Sequence, residues 1–221
     1  MEVRQVGDGR VVRRAVLDQA ALAVGPAALR GEFEHELVRV DGGSQAGVRG
    51  GGSVAESVLA GVDLSQARLG PLMLTDAVFT QVDLSGAVLH EVTARRVELL
   101  RCRAMGVRLE FALVSDVYAE GCRFDYGSLH VARVKGRLAF RECTFREATI
   151  AGDLSDAVFL DCDFAGAEFD AGAAKGCDLR SSRLVGARGL LSLRGAMITA
   201  DQAVSVADQL AAEAGLTVAR P

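Results

Sequence analysis

GDLSDAVFLDCDFAGAEF, residues 152–169, repeats one pattern without an error. Leu154, Phe159, Phe164 and Phe169 are spaced five apart, and Gly152, Ala157, Cys162 and Ala167 stand two places before them. A period of five fits neither the roughly 3.6 of a helix nor the 2 of a flat strand, so the stretch is neither an amphipathic helix nor an ordinary hairpin. It is a repeat, and the repeat decides the fold.

The rule extends in both directions. Large central residues fall at Val54, Leu59, Leu64, Leu69, Leu74, Phe79, Leu84 and Leu89, and the phase continues through Leu99, Leu109, Phe124 and Leu129 to Val134. One extra residue moves the centres to Phe140, Phe145 and Ile150, and one missing residue restores the phase at Leu154, after which it runs to Leu184 and fades at Gly189. That makes about 28 repeats. If one repeat is one side of a square, residues about 20 apart stack at the spacing of hydrogen-bonded strands, roughly 4.8 Å. The cysteines test this: Cys102, Cys122, Cys143 and Cys162 are separated by 20, 21 and 19 residues, and both deviations coincide with the insertion and the deletion read from Phe and Leu. They are predicted to form one internal ladder, preceded by Val62 and Val82 and followed by Ser182. Leu64, Leu84, Ala104, Phe124, Phe145, Phe164 and Leu184 are predicted to stack beside it.

GVDLSQARLGPL, QVDLSGAVL, GDLSDAVFLDCDFAGAEF and GCDLRSSRLVGARGL resemble the A(D/N)Lxx units of the pentapeptide-repeat family over about two thirds of the chain. The resemblance implies a right-handed quadrilateral β-helix, four repeats to a coil and about seven coils, an all-β solenoid. Its length would be roughly 34 Å at strand spacing.

Outside the repeat the signals change. Residues 1–40 read as a small β-rich leader in which Gly7-Asp8-Gly9 could join two short strands. Residues 41–53, DGGSQAGVRGGGS, have the composition of a flexible linker. The β-helix is then expected over 54–198. In 199–221, Thr199 and Gln202 make a capping box, Gly215 a stop, and Ala203, Val204, Val206, Ala207, Leu210, Ala211 and Ala214 share one apolar face. This capping helix should cover the open end of the bore.

The 221 residues are half hydrophobic, lack Trp and carry a net charge of −4, which excludes a generally basic nucleic-acid binder. No membrane-length apolar run and no apolar secretory leader appear, so a soluble cytoplasmic protein is expected. A column of parallel thiols does not converge tetrahedrally as zinc requires, so the cysteine ladder, and Cys177 one side over, read as packing. His90, Glu110 and His130 should stack as an exposed column, a solvated ladder or a weak metal or pH-sensitive patch. No catalytic motif is present, so no enzyme, cofactor or metal is expected.

Asp153, Asp156, Asp161, Asp163, Glu168 and Asp170 form an acidic band, whereas Arg95, Arg96, Arg101, Arg103 and Arg108, with a single Glu98, form a basic belt. Gyrase-binding members of the family present an acidic rod resembling duplex DNA, and SLRGAMITADQAV at 192–204 is similar to the C-terminal end of a mycobacterial member, where a helix makes a dimer. The resemblance therefore implies a non-enzymatic partner of DNA gyrase or another topoisomerase. The acidic band would be its binding surface, and it would form a homodimer through Val206, Ala207, Leu210, Ala211 and Ala214. A scaffold repeat with another protein partner is the alternative.

Overall fold

The structure, a computed structural model, describes residues 2–219. It is a parallel β-solenoid of about seven coils. Strands Arg49–Ala60, Arg68–Thr80, Val88–Leu100 and Arg108–Glu120 each pair in parallel with the next, Val54 on Leu74, Leu74 on Ala94 and Leu99 on Ala119. The period of five comes from the corners. Two places after most centres the backbone turns through the left-handed region, as at Gln66 (φ 58), Asp76 (φ 51), Gln81 (φ 54), Arg96 (φ 52) and Asp161 (φ 53). Such a residue costs an L-amino acid about 1–2 kcal/mol, which the coil-to-coil hydrogen bonds on either side offset.

The bore is dry and its fillers stack. Phe124, Phe145 and Phe164 lie parallel with ring centroids 5.1 and 5.2 Å apart, Phe140 and Phe159 form a second stack at 5.1 Å, and the two columns meet edge to face. Both geometries suit the ring quadrupole. The two departures from the repeat are visible in the register. Val114 still bridges Val134, but Val117 already pairs with Leu138, so the extra residue enters between 134 and 138. Gly152 pairs with Ala171 and Asp153 with Ala173, which places the compensating shift there.

The N-terminal quarter differs from expectation. Residues 41–53 are no linker: Arg49–Ala60 is one continuous strand, Gly31–Glu36 pairs with its first half and Val38–Asp41 with its second. The glycines serve close backbone approach, since a Cβ at Gly50 would collide with backbone of Leu29 and Gly31, and one at Gly52 with the Phe33 carbonyl. The coiled body therefore begins near Gly31, and Ala27, Leu29 and Phe33 belong to its core. The leader does contain a hairpin, β1 (Val3–Gln5) and β2 (Val11–Arg13), closed by the 7–9 turn. It straps the outside of the coils, burying Val6 and Val12 against Tyr118, Ala139 and Val158.

At the other end two short helices, α1 (Ala200–Ser205) and α2 (Ala207–Glu213), replace the single helix expected, the break falling at Val206. The capping box is formed, Gln202 N–H donating to Thr199 Oγ1 at 3.2 Å and Thr199 N–H to Gln202 Oε1 at 2.7 Å. The Gln202 amide also donates to the Leu179 carbonyl at 2.7 Å, covering an edge of the last coil.

A carboxylate in the bore has no partner, and burying one costs several kcal/mol against a total stability of about 5–15 kcal/mol. Cys122→Asp should abolish cooperative folding, whereas Ser128→Asp, on the outer surface, should melt within a few degrees of the parent. Near-equal circular-dichroism melts for the parent and Cys122→Asp would show that the register is wrong.

Candidate functional site

The inward thiols and the Ser182 hydroxyl bond to backbone carbonyls of the coils. The Cys122 thiol donates to the carbonyls of Leu99 (3.3 Å) and Glu120 (3.4 Å), Cys143 to Arg141 (3.3 Å) and Cys162 to Leu160 (3.4 Å). Ser182 takes the same place one coil on, donating to the Phe159 carbonyl at 3.0 Å and accepting from the Cys162 amide at 3.1 Å. The slot takes a small side chain, and from Cys102 to Ser182 that side chain also donates a weak hydrogen bond to a backbone carbonyl. Burial pushes the Cys143 thiol well up, and it pushes Cys177 up to about 12. All five cysteines are free and buried.

The recurrent aspartates are corner pieces. Asp63, Asp83, Asp153, Asp163 and Asp178 each accept the backbone N–H two residues on, at 2.9–3.2 Å. The acidic band is consequently a ring. Asp153 and Asp156 lie on one side of the rod, Asp161 at the next corner, Asp163 on the following side, and Glu168 and Asp170 on the last. Asp163 is paired with Arg146 at 2.8 Å and approached by Arg183 at 3.9 Å, and Glu168 faces Arg188 at 3.7 Å. Asp156, Asp161 and Asp170 are exposed and have no ion pair among the described residues.

The basic belt is similarly divided. Arg96 is held by Asp76 and Arg103 reaches Asp83 at 3.4 Å, each one coil below, while Arg95, Arg101 and Arg108 are exposed. His130 pairs in register with Glu110, and His90 has only a 3.9 Å approach to Glu91, so the column brings together no metal-holding group among the described residues. Of the helix residues, Val206 is fully buried under the cap, Leu210 and Ala211 are partly covered, and Ala207 and Ala214 are exposed beside Val204. Val206 therefore belongs to the cap and has no surface to offer a second chain.

The strongest electrostatic feature was not read from the sequence. Four nearly buried carboxylates, Asp76, Glu98, Asp116 and Asp178, lie along the face under the N-terminal hairpin. Arg4 and Arg14 meet Glu98 at 2.7 and 3.1 Å, Arg13 meets Asp116 at 2.6 Å and Arg10 approaches Asp178 at 3.7 Å. Arg180 holds the Asp178 carboxyl below the usual carboxylate range and also bonds Asp8 at the hairpin tip. The separation of Asp76 from Asp116, two coils, and of Glu98 from Asp178, four coils, was the available signal.

The family model described as pentapeptide repeats matches residues 74–110 as eight copies. The chain carries pentapeptide repeats. Those residues include the strand Val88–Leu100 and parts of the strands before and after it, and the same register extends well beyond them. No curated protein sequence matches the chain. Among solved structures, HetL, a pentapeptide-repeat protein involved in heterocyst differentiation regulation from the cyanobacterium Nostoc sp. strain PCC 7120, is 17% identical. That match covers 76% of this chain and 85% of HetL with a TM-score of 0.47. Full-length QnrB1, a plasmid-mediated fluoroquinolone resistance protein, is 17% identical over 86% of this chain and 98% of its own, with a TM-score of 0.43. Among the described residues, no helix is long and apolar enough to cross a membrane.

Thiols enclosed in this way are out of the reach of a polar reagent. Ellman's reagent should titrate none of the five cysteines in the native protein and all of them in guanidinium chloride. Rapid labelling of Cys122 or Cys143 without denaturant would contradict a closed bore.

Proposed function

We propose that the chain is a non-catalytic recognition rod that acts through its outer side chains on a protein partner in the cytoplasm, DNA gyrase or another topoisomerase being the most concrete form. The observation that carries the recognition reading is the division of labour in the coil. Inward positions are spent on a dry stack, and outward ones stand in rigid columns at strand spacing, a surface on which charge is fixed without ordering cost. The topoisomerase form rests on the repeat's resemblance to gyrase-binding members, in which an acidic rod stands in for DNA. Within the acidic ring, Asp156, Asp161 and Asp170 are the side chains available for it.

The paired Asp163 and Glu168 and the exposed Arg95, Arg101 and Arg108 favour the second reading, a scaffold whose partner is not a DNA-binding saddle. Supercoiling by purified gyrase separates the two. The parent at micromolar concentration should inhibit gyrase or protect it from a quinolone, and Asp156→Asn/Asp161→Asn/Asp170→Asn should keep its melt and lose that effect. A parent without any effect on gyrase leaves the scaffold reading.

The same proposal includes a homodimer through the C-terminal end, with Ala207, Ala211 and Ala214 beside the exposed Val204 as the contact and Leu210 at its edge. Alanines on a helix face permit close approach of a second backbone. Light scattering should give about twice the 23.2 kDa chain mass. Val204→Glu/Ala207→Glu should reduce it to one chain without lowering the melt, whereas Val206→Glu should destabilise the cap in either state. A parent mass of one chain at every concentration removes the dimer.

A further inference from the structure

The contacts of Arg4 describe a built receptor for a guanidinium group. Its Nη2 lies 2.7 Å from Glu98, its Nη1 2.9 Å from Glu120, and its Cζ stands 4.1 Å from the centroid of the Tyr118 ring. The Tyr118 hydroxyl donates to Glu120 at 3.0 Å, which holds the second carboxylate in place. Two carboxylates around the fork and an aromatic face beneath it are the features that distinguish arginine from lysine at a binding site. Glu98 is 2% exposed beneath the hairpin, where the guanidinium groups of Arg4 and Arg14 enclose its carboxylate. Asp116, one coil corner away, takes Arg13 in the same manner at 2.6 Å.

What occupies the receptor is held lightly. The hairpin buries only Val6 and Val12, and an isolated two-stranded hairpin is marginal in water. Apart from hydrogen bonds of Arg10 to the Gly176 carbonyl, of Arg137 to the Val11 carbonyl and of the Arg13 amide to Asp116, the other attachments are ion pairs, and the side chains of Arg4, Arg13 and Arg14 keep 25%, 40% and 41% of their exposure, open to screening by salt. If the hairpin lifts, water reaches the carboxylates, so its release does not strand a buried charge. Asp76 and Asp178 keep the coil-borne Arg96 and Arg180. Among the described residues, the ion pairs of Glu98, Asp116 and Glu120 are all with the hairpin and the residue after it.

We propose that Glu98, Glu120 and Tyr118, with Asp116 beside them, form an arginine-recognition site that the chain's own N-terminal hairpin occupies. An arginine-bearing segment of a protein partner would compete with it. The hairpin is then a latch that masks the site until such a segment displaces it. The proposal rests on the recognition-rod reading and gives that rod a specific contact.

The full-length variant Arg4→Gln/Arg13→Gln/Arg14→Gln, whose latch is weakened, tests the site with a defined probe: a labelled synthetic peptide of residues 2–16. At low salt the variant should bind this peptide at least about tenfold more tightly than the same peptide carrying Arg4→Gln, and 0.5 M NaCl should weaken binding. The parent chain, already occupied, should bind neither. In the parent, hydrogen exchange should show the amides of β1 and β2 opening with added salt while those of Val88–Leu100 stay protected, a measurement that does not depend on the variant's folding. Equal binding of the two peptides, no binding to a variant with protected coils, or hairpin amides that exchange in step with the coils would overturn the proposal. No topoisomerase enters either readout, so failure in the supercoiling assay leaves the site standing and failure here leaves the gyrase reading to its own assay.

Discussion

Backbone hydrogen bonding between successive coils fixes the vertical neighbour of every residue, and the other features of the molecule follow from that. Because strands pair at about 4.8 Å, a side chain inside the bore must tolerate the one 20 residues away stacked upon it. Flat rings and small thiols do so. Phe145 rests on Phe124 at 5.1 Å, and the Cys102 amide points at the Cys122 sulfur at 3.3 Å. An uncorrected slip of one residue would turn the inward columns outward, which is why the insertion after Val134 is followed within one coil by the shift at Gly152 and Asp153.

How far the sequence could be read depended on whether the constraint was local or periodic. The bore was legible to the residue, because its period is stated many times and the cysteines check it independently. The first coils were not, because glycine at Gly50, Gly51 and Gly52 has the composition of a flexible linker and the opposite physical role: two backbones approach so closely that no Cβ fits. Composition does not distinguish a chain that is free from one that is crowded. The C-terminal cap was legible as an amphipathic segment with its capping box, but its break at Val206 was not, since burial of that side chain against the last coil sets where the helix yields.

The hairpin was legible as two strands and a turn, but not in where it goes. Its attachments join Arg4 to Glu98 and Glu120 and Arg13 to Asp116, separations of 94, 116 and 103 residues, and a single pair of charges at such range leaves no periodic trace. On the coil side there was a trace, since Asp76 and Asp116 are two coils apart and Glu98 shares a column with Asp178.

That distinction changes how charge is read in a solenoid. Carboxylates close together in sequence, Asp153 to Asp170, are distributed round all the sides of the rod, and arginines one coil away meet several of them. Carboxylates a coil apart stand one above another on a single side. A partner laid along the rod meets columns, so the electrostatic face it encounters is made of residues about 20 apart. Under the hairpin, Glu98 and Asp116 are buried and paired with arginines of the same chain. On the proposed recognition reading, access to that face is set by an N-terminal segment that buries only Val6 and Val12.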